Sequence, residues 1–108
     1  MSAIVLVDAE NVRRSVWPNL SREDLVESVE RWAQLEGVRA EVVFEGHGET
    51  ADDRIVAKAA LLHGQGKNLW VATSDRELRE RVEPYAKRII GGGSLARALT
   101  RRERLSGT

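Results

Sequence analysis

The sequence has no cysteine, two prolines, and few aromatics: three Trp, one Tyr and one Phe. Lack of cysteine excludes disulfides, thiol catalysis and cysteine-ligated zinc or iron–sulfur centres, and makes the cytoplasm the expected location. Long apolar runs are also missing. None approaches the ~20 residues that span a bilayer, and the start is not signal-peptide-like, so no membrane partner is expected. Internal repeats, low-complexity tracts and linkers are absent. So is net charge, with 17 basic residues against 17 acidic ones. That balance conceals a division. Residues 1–53 carry 12 acids and 5 bases, whereas residues 54–108 carry 12 bases and 5 acids. The asymmetry suits a polyanionic partner beside an acidic, cation-binding centre. It equally suits a fold that mixes its halves and pairs the charges at its surface.

What is present is an ordinary globular balance: 108 residues, 42% hydrophobic and 31% charged. One domain over residues 1–108 with a substantial core is expected. "SAIVLVD" (2–8) reads as a buried strand ending on an acid. "SRED" (21–24) is a capping box with Asp in place of Glu; the helix it opens runs to about Glu36, with Leu25, Val29, Trp32 and Leu35 as its stripe and Gly37 as its stop. "VRAEVVFE" (38–45) is a second strand, and a helix follows over about 50–65. "NLWVATSD" (68–75) is a third strand. "SDRE" (74–77) opens a helix to about Ala86, with Ser74 as cap and Glu77 returning to its backbone. "KRII" (87–90) is a short fourth strand, and Ser94 caps a last helix to about Arg104. This alternation predicts an α/β three-layer sandwich, a small parallel sheet of about four strands with helices on both faces.

In such sheets ligands bind beyond the carboxyl ends of the strands. Asp8, Glu45 and Asp75 end the first three strands, and the loop carrying Glu49, Asp52 and Asp53 leaves from the same edge. Two carboxylates ~4 Å apart repel by roughly 4 kcal/mol at an effective dielectric near 20. Gathering several requires raised pKa values, arginine partners or a divalent cation. Oxygen-only donors suit Mg²⁺ or Mn²⁺, which points to phosphoryl hydrolysis. Asp52 precedes Ile55 and Val56 by three and four residues and so shares their apolar face, Asp53 likewise precedes Val56 and Ala57, and Arg54 and Lys58 mark the solvent side.

Each feature also has a plainer explanation. Acids at helix starts suit the helix dipole. Asn11 caps a short segment before Trp17–Pro18. His47 is either a proton shuttle or a loop residue, and His63 meets a helix dipole. Trp32, Trp70 and Trp17 are expected to pack, with base stacking the functional alternative for Trp17. "GGG" (91–93) is a phosphate cradle or a turn. "RRER" (101–104) is a solvated terminal face or a contact to RNA phosphates.

Three segments in order, "IVLVDAENV" (4–12), "ETADDRIV" (49–56) and "VATSDRELR" (71–79), resemble the PIN-like nucleases, specifically the NYN branch with YacP-like members. The resemblance implies a PIN-like, Rossmann-like fold and a metal-dependent endoribonuclease, with water attacking the phosphodiester in line and no covalent enzyme intermediate. By position, Asp8, Asp53 and Asp75 match the catalytic metal-ligating acids. Glu49 and Asp52 are neighbours that reach metal in some relatives, and Glu77 stands where DNA-cleaving relatives carry a further acid. Asn11 matches the family's asparagine. Thr73 and Ser74 would contact phosphate or hold Asp75, and Arg13, Arg14, Arg76 and Arg79 would hold the RNA backbone. The chain is shorter than typical members before the "ADD" helix, and Glu45 stands where the family often has Asp.

PIN-like domains often dimerise, which leaves a homodimer open. The competing class is a non-catalytic RNA- or protein-binding module that keeps the fold. Toprim and receiver arrangements fit less well, because Toprim sites need Glu where Asp8 stands and receivers pair acids at the first strand with a late lysine.

Overall fold

The computed structural model describes residues 2–46 and 48–106, with the side chains of 102–106 left aside; His47 lies outside the described residues. The chain runs β1 (Ile4–Asp8), α1 (Ala9–Arg13), α2 (Arg22–Glu36), β2 (Arg39–Val43), α3 (Ala51–Gly64), β3 (Leu69–Ala72), α4 (Arg76–Val82), β4 (Arg88–Ile90) and α5 (Gly92–Ser106). The strands form one sheet in the order β2-β1-β3-β4, and every pairing is parallel. Chain order reverses between β1 and β3. Their carboxyl ends therefore flank the crevice where such sheets bind ligands.

The alternation along β1 and β3 divides the core into two layers. Val5, Val7 and Ala72 face α1, α2 and α5, packing with Val12, Leu25, Val29, Trp32, Leu95 and Leu99. Leu6, Leu69 and Val71 face the other way, onto Ile55 and Ala59 of α3 and Leu78 and Val82 of α4. A three-layer α/β sandwich results. Among the described residues, no helix is long and apolar enough to cross a membrane.

Local chemistry sets the helix ends. Ser21 Oγ accepts the Asp24 N–H at 3.0 Å, and Gly37 closes α2 in the left-handed region at φ 69°. Thr50 Oγ1 accepts the Asp53 N–H at 3.1 Å and opens α3.

Several sequence expectations need correction. Residues 9–13 form a helix that the sequence pattern did not announce. Leu35 is 67% exposed, because the buried stripe of α2 turns through Ser28 and Ala33 instead. Asp75, not Ser74, caps α4: its carboxylate accepts the Leu78 N–H at 2.9 Å. Glu77 is thereby relieved of the expected capping role. That helix ends at Val82 and not near Ala86: Glu83 still has helical backbone, but Pro84 has no N–H to continue the hydrogen-bond ladder. The last helix starts at Gly92, two residues before the expected cap Ser94, because Ser74 Oγ reaches across from the β3 edge and accepts the Gly92 N–H at 2.7 Å. Trp17 does not pack; it is 90% exposed.

Candidate metal centre

The register brings the site together. Val7 pairs with Ala72, which sets Asp8 beside Thr73 at the carboxyl edge. Thr73 is fully buried, and Asp8 is only 5% exposed. The Thr73 hydroxyl donates to Asp8 Oδ2 at 2.8 Å and accepts the Asp75 N–H at 3.1 Å. One threonine thus fixes the acid of β1 and the acid at the start of α4. A second link runs alongside: Asn11 Oδ1 accepts the Ser74 N–H at 2.8 Å, and Ser74 in turn holds the start of α5. Gly92 sits in the notch between them. A Cβ there would stand 2.1 Å from Asn11 Oδ1 and 3.3 Å from the Ser74 nitrogen.

Of these residues, Asp8, Asn11 and Asp75 line an open cleft of about 660 Å³. Asp52 and Asp53 enter it from α3, Asp75, Glu77 and Arg81 from α4, Glu45 from the loop after β2, and Glu10, Asn11 and Arg14 from α1. The electrostatics show which acids face one another. Burial raises the Asp8 pKa, and the nearby Asp52 and Asp75 raise it further against the opposing Thr73 hydrogen bond. Burial also raises Asp52, with Asp75, Glu77 and Asp53 adding to the effect and Arg81 opposing it. Asp8, Asp52 and Asp75 are therefore the acids that feel each other most directly. Asp53 is turned outward, its side chain 62% exposed and paired with Arg81 at 3.0 Å.

The remaining expected site residues divide. Arg13 donates to Glu10 at 2.8 Å and to the Leu20 carbonyl at 3.0 Å, so its guanidinium is occupied in holding the loop after α1. Arg14 pairs with Glu10 at 3.1 Å but remains 65% exposed on the cleft. Arg76 faces solvent beside Glu80, and neither it nor Arg79 lines the cleft. Glu49 is exposed, bridges to Gly46 through its backbone, and does not line the cleft either. Sequence reasoning missed Arg81, whose only signal was its place one turn after Glu77 and Leu78 on α4. It also missed the packing at Gly92, hidden among three glycines that read as a turn.

Whether these residues suit a divalent cation turns on donor chemistry and placement. Among the described residues, no three His, Asp or Glu side chains are gathered into a ready cation site. The donors that share the cleft are nonetheless oxygens, most of them carboxylate, the kind hard divalent ions prefer. Arg81 opposes the repulsion at Asp52. The set fits Mg²⁺ or Mn²⁺ in chemistry and location, and closing on an ion requires the side chains to converge.

Comparison with known proteins agrees with this architecture. A crystal structure of Rae1 (YacP) from Bacillus subtilis superposes with a TM-score of 0.77 at 26% identity, covering 96% of this chain and 78% of the other. No curated protein matches the sequence. The family model for the YacP-like NYN domain matches residues 24–105. The chain belongs to the YacP-like NYN domain family, and its fold is that of PIN-like nucleases.

Proposed function

We propose that this protein is an endoribonuclease that hydrolyses RNA phosphodiester bonds in the acidic cleft, with Mg²⁺ or Mn²⁺ held by Asp8, Asp52 and Asp75. The observation that carries this reading is the gathering of Asp8, Asp52 and Asp75 in one cleft at the switch point of a parallel sheet, where burial and the neighbouring acids raise the pKa of Asp8 and Asp52. Asp53 and Glu77 stand beside the three and complete the oxygen-rich wall. A bound divalent ion would neutralise the acids, activate water for in-line attack and stabilise the leaving oxygen.

The chain's own residues do the positioning. Thr73 holds the Asp8 carboxylate and the Asp75 backbone at one edge, and the Leu78 N–H holds the Asp75 carboxylate. Arg81 restrains Asp53 and tempers the field at Asp52. Arg14, anchored on Glu10 yet exposed, is the cleft guanidinium best placed to meet a substrate phosphate. The test is cleavage of unstructured RNA with Mn²⁺ added, together with the protein's Mn²⁺ affinity by calorimetry. Metal-dependent cleavage that stops with chelator is expected.

A second reading has its own support, since among the described residues the acids are not gathered in threes. A non-catalytic binding module would bind RNA or protein with chelator present, show no tight Mn²⁺ site and cleave nothing.

A further inference from the structure

Trp17 is the feature that neither the core nor the acidic cleft explains. A tryptophan exposed over 90% of its surface leaves a large apolar face in water, and such faces on folded domains commonly mark contact sites. The segment that presents it is pinned at both ends. Leu20 N–H donates to the Arg13 carbonyl, and Arg13 Nε donates back to the Leu20 carbonyl, each at 3.0 Å. Leu20 is buried and Val16 packs against the core, while the Ser15 hydroxyl bonds the Asn11 carbonyl at 2.5 Å. The indole is thus displayed on a braced loop.

Across from the loop lies α5. Trp17 and Pro18 share an open groove with Arg97, Thr100 and Arg101, and Asp24 is the one carboxylate among its lining residues. Neither arginine forms an ion pair among the described residues. Arg97 folds back toward the start of its helix, where its Nη1 would meet a Cβ on Gly93 at 3.3 Å. The neighbouring Gly92 abuts Asn11 and Ser74 of the acidic cleft. Ser15 lines both depressions, so the groove and the cleft adjoin at that residue.

An exposed aromatic beside unpaired guanidiniums is the combination that binds single-stranded nucleic acid, with a base on the ring and phosphates on the cations. We infer that the Trp17–Arg97–Arg101 groove binds a single-stranded RNA segment flanking the phosphodiester in the acidic cleft, one base stacking on Trp17. This rests on the nuclease reading for the identity of the polymer. It explains why positive charge collects on the last helix, away from the acids, beside a groove that adjoins the cleft at Ser15.

The experiment measures binding of a short, labelled, unstructured RNA to the full chain with chelator present, so that no cleavage enters the readout. Trp17→Ala is expected to weaken binding about 5- to 100-fold, the range for losing one base–aromatic stack, while Trp17→Phe retains most of the affinity. Arg97→Ala is expected to flatten the salt dependence by about 0.7 in log–log slope, one single-strand phosphate contact. RNA should quench tryptophan emission in the parent and not in Trp17→Phe, because Trp32 is buried and Trp70 is largely covered by the Arg88 guanidinium. A duplex of the same sequence should bind without regard to Trp17. Parent-like affinity in a folded Trp17→Ala overturns the inference, as does failure of the parent to bind RNA or a Trp17 dependence seen only with a protein partner. Trp17-dependent binding without any cleavage would leave the groove standing and remove the nuclease reading; cleavage with Trp17-independent binding would do the reverse.

Discussion

At neutral pH, Asp8→Asn is expected to melt a few degrees above the parent protein while cleaving RNA about 100- to 1,000-fold more slowly, the usual loss when a preorganised electrostatic group is removed. The two effects have one cause. Burial and the neighbouring Asp52 and Asp75 raise the Asp8 pKa above its ordinary 3.8, so the folded protein holds that proton more tightly than the unfolded chain does. The stability this confers is fully present below the unfolded value and is lost as pH rises through the folded one. At pH 7 the ionised carboxylate is therefore a strained element of the fold. Asparagine removes the charge but keeps an oxygen that can accept the Thr73 hydroxyl. Relieving such a site typically stabilises a domain by roughly 0.5–2 kcal/mol at the expense of function. Melting curves at pH 7 and pH 4 check the sign: the advantage should shrink as pH falls and the parent's acid takes up its proton. A variant that is less stable than the parent at pH 7 would show that the Thr73 bond outweighs the burial of charge.

Gly92→Ala is expected to damage stability and cleavage together. Its Cβ would fall 2.1 Å from Asn11 Oδ1, a side chain already engaged with the Ser74 N–H. Either Asn11 swings out and that bond is lost, or α5 shifts away from the β3 edge. Overpacking of this kind costs about 2–3 kcal/mol, which in a small domain lowers Tm by on the order of 10 °C. Cleavage should fall further than the unfolded fraction accounts for, because Asn11 and Ser74 brace the turn that carries Asp75. Gly64→Ala is the control. Nothing lies within 4 Å of a Cβ at the end of α3, so that variant should match the parent in both respects.

The sheet was readable because buried parallel strands appear as short apolar runs between helical segments, and here the first three such runs also ended near an acid. Connectivity put Asp8, Glu45 and Asp75 at one sheet edge with the loop of Glu49, Asp52 and Asp53 beside it, and the sequence favoured Asp53 over Asp52 within that loop. What the sequence could not convey was direction at single-residue scale. Asp52 and Asp53 are adjacent at one helix start, yet it is Asp53 that hydrogen-bonds Arg81, 28 residues away. The cap of α4 moved from Ser74 to Asp75 because Ser74 is committed to Gly92 across the sheet, a tertiary bond with no local signature. Trp17 carried the same ambiguity: an indole beside proline reads as core until the fold leaves it outside.

The central claim is that the acids at the carboxyl edge of β1 and β3 support metal-dependent hydrolysis of RNA. It is tested most directly by incubating RNA with Mn²⁺ and comparing the parent with Asp75→Asn. Asparagine is as good a helix cap as aspartate, so α4 and the Leu78 N–H bond should survive the change. Cleavage by the parent that stops with chelator, and its near-complete loss in a folded Asp75→Asn, is the predicted result. Equal cleavage by the two proteins, or an inert parent that is folded and loaded with Mn²⁺, would contradict it.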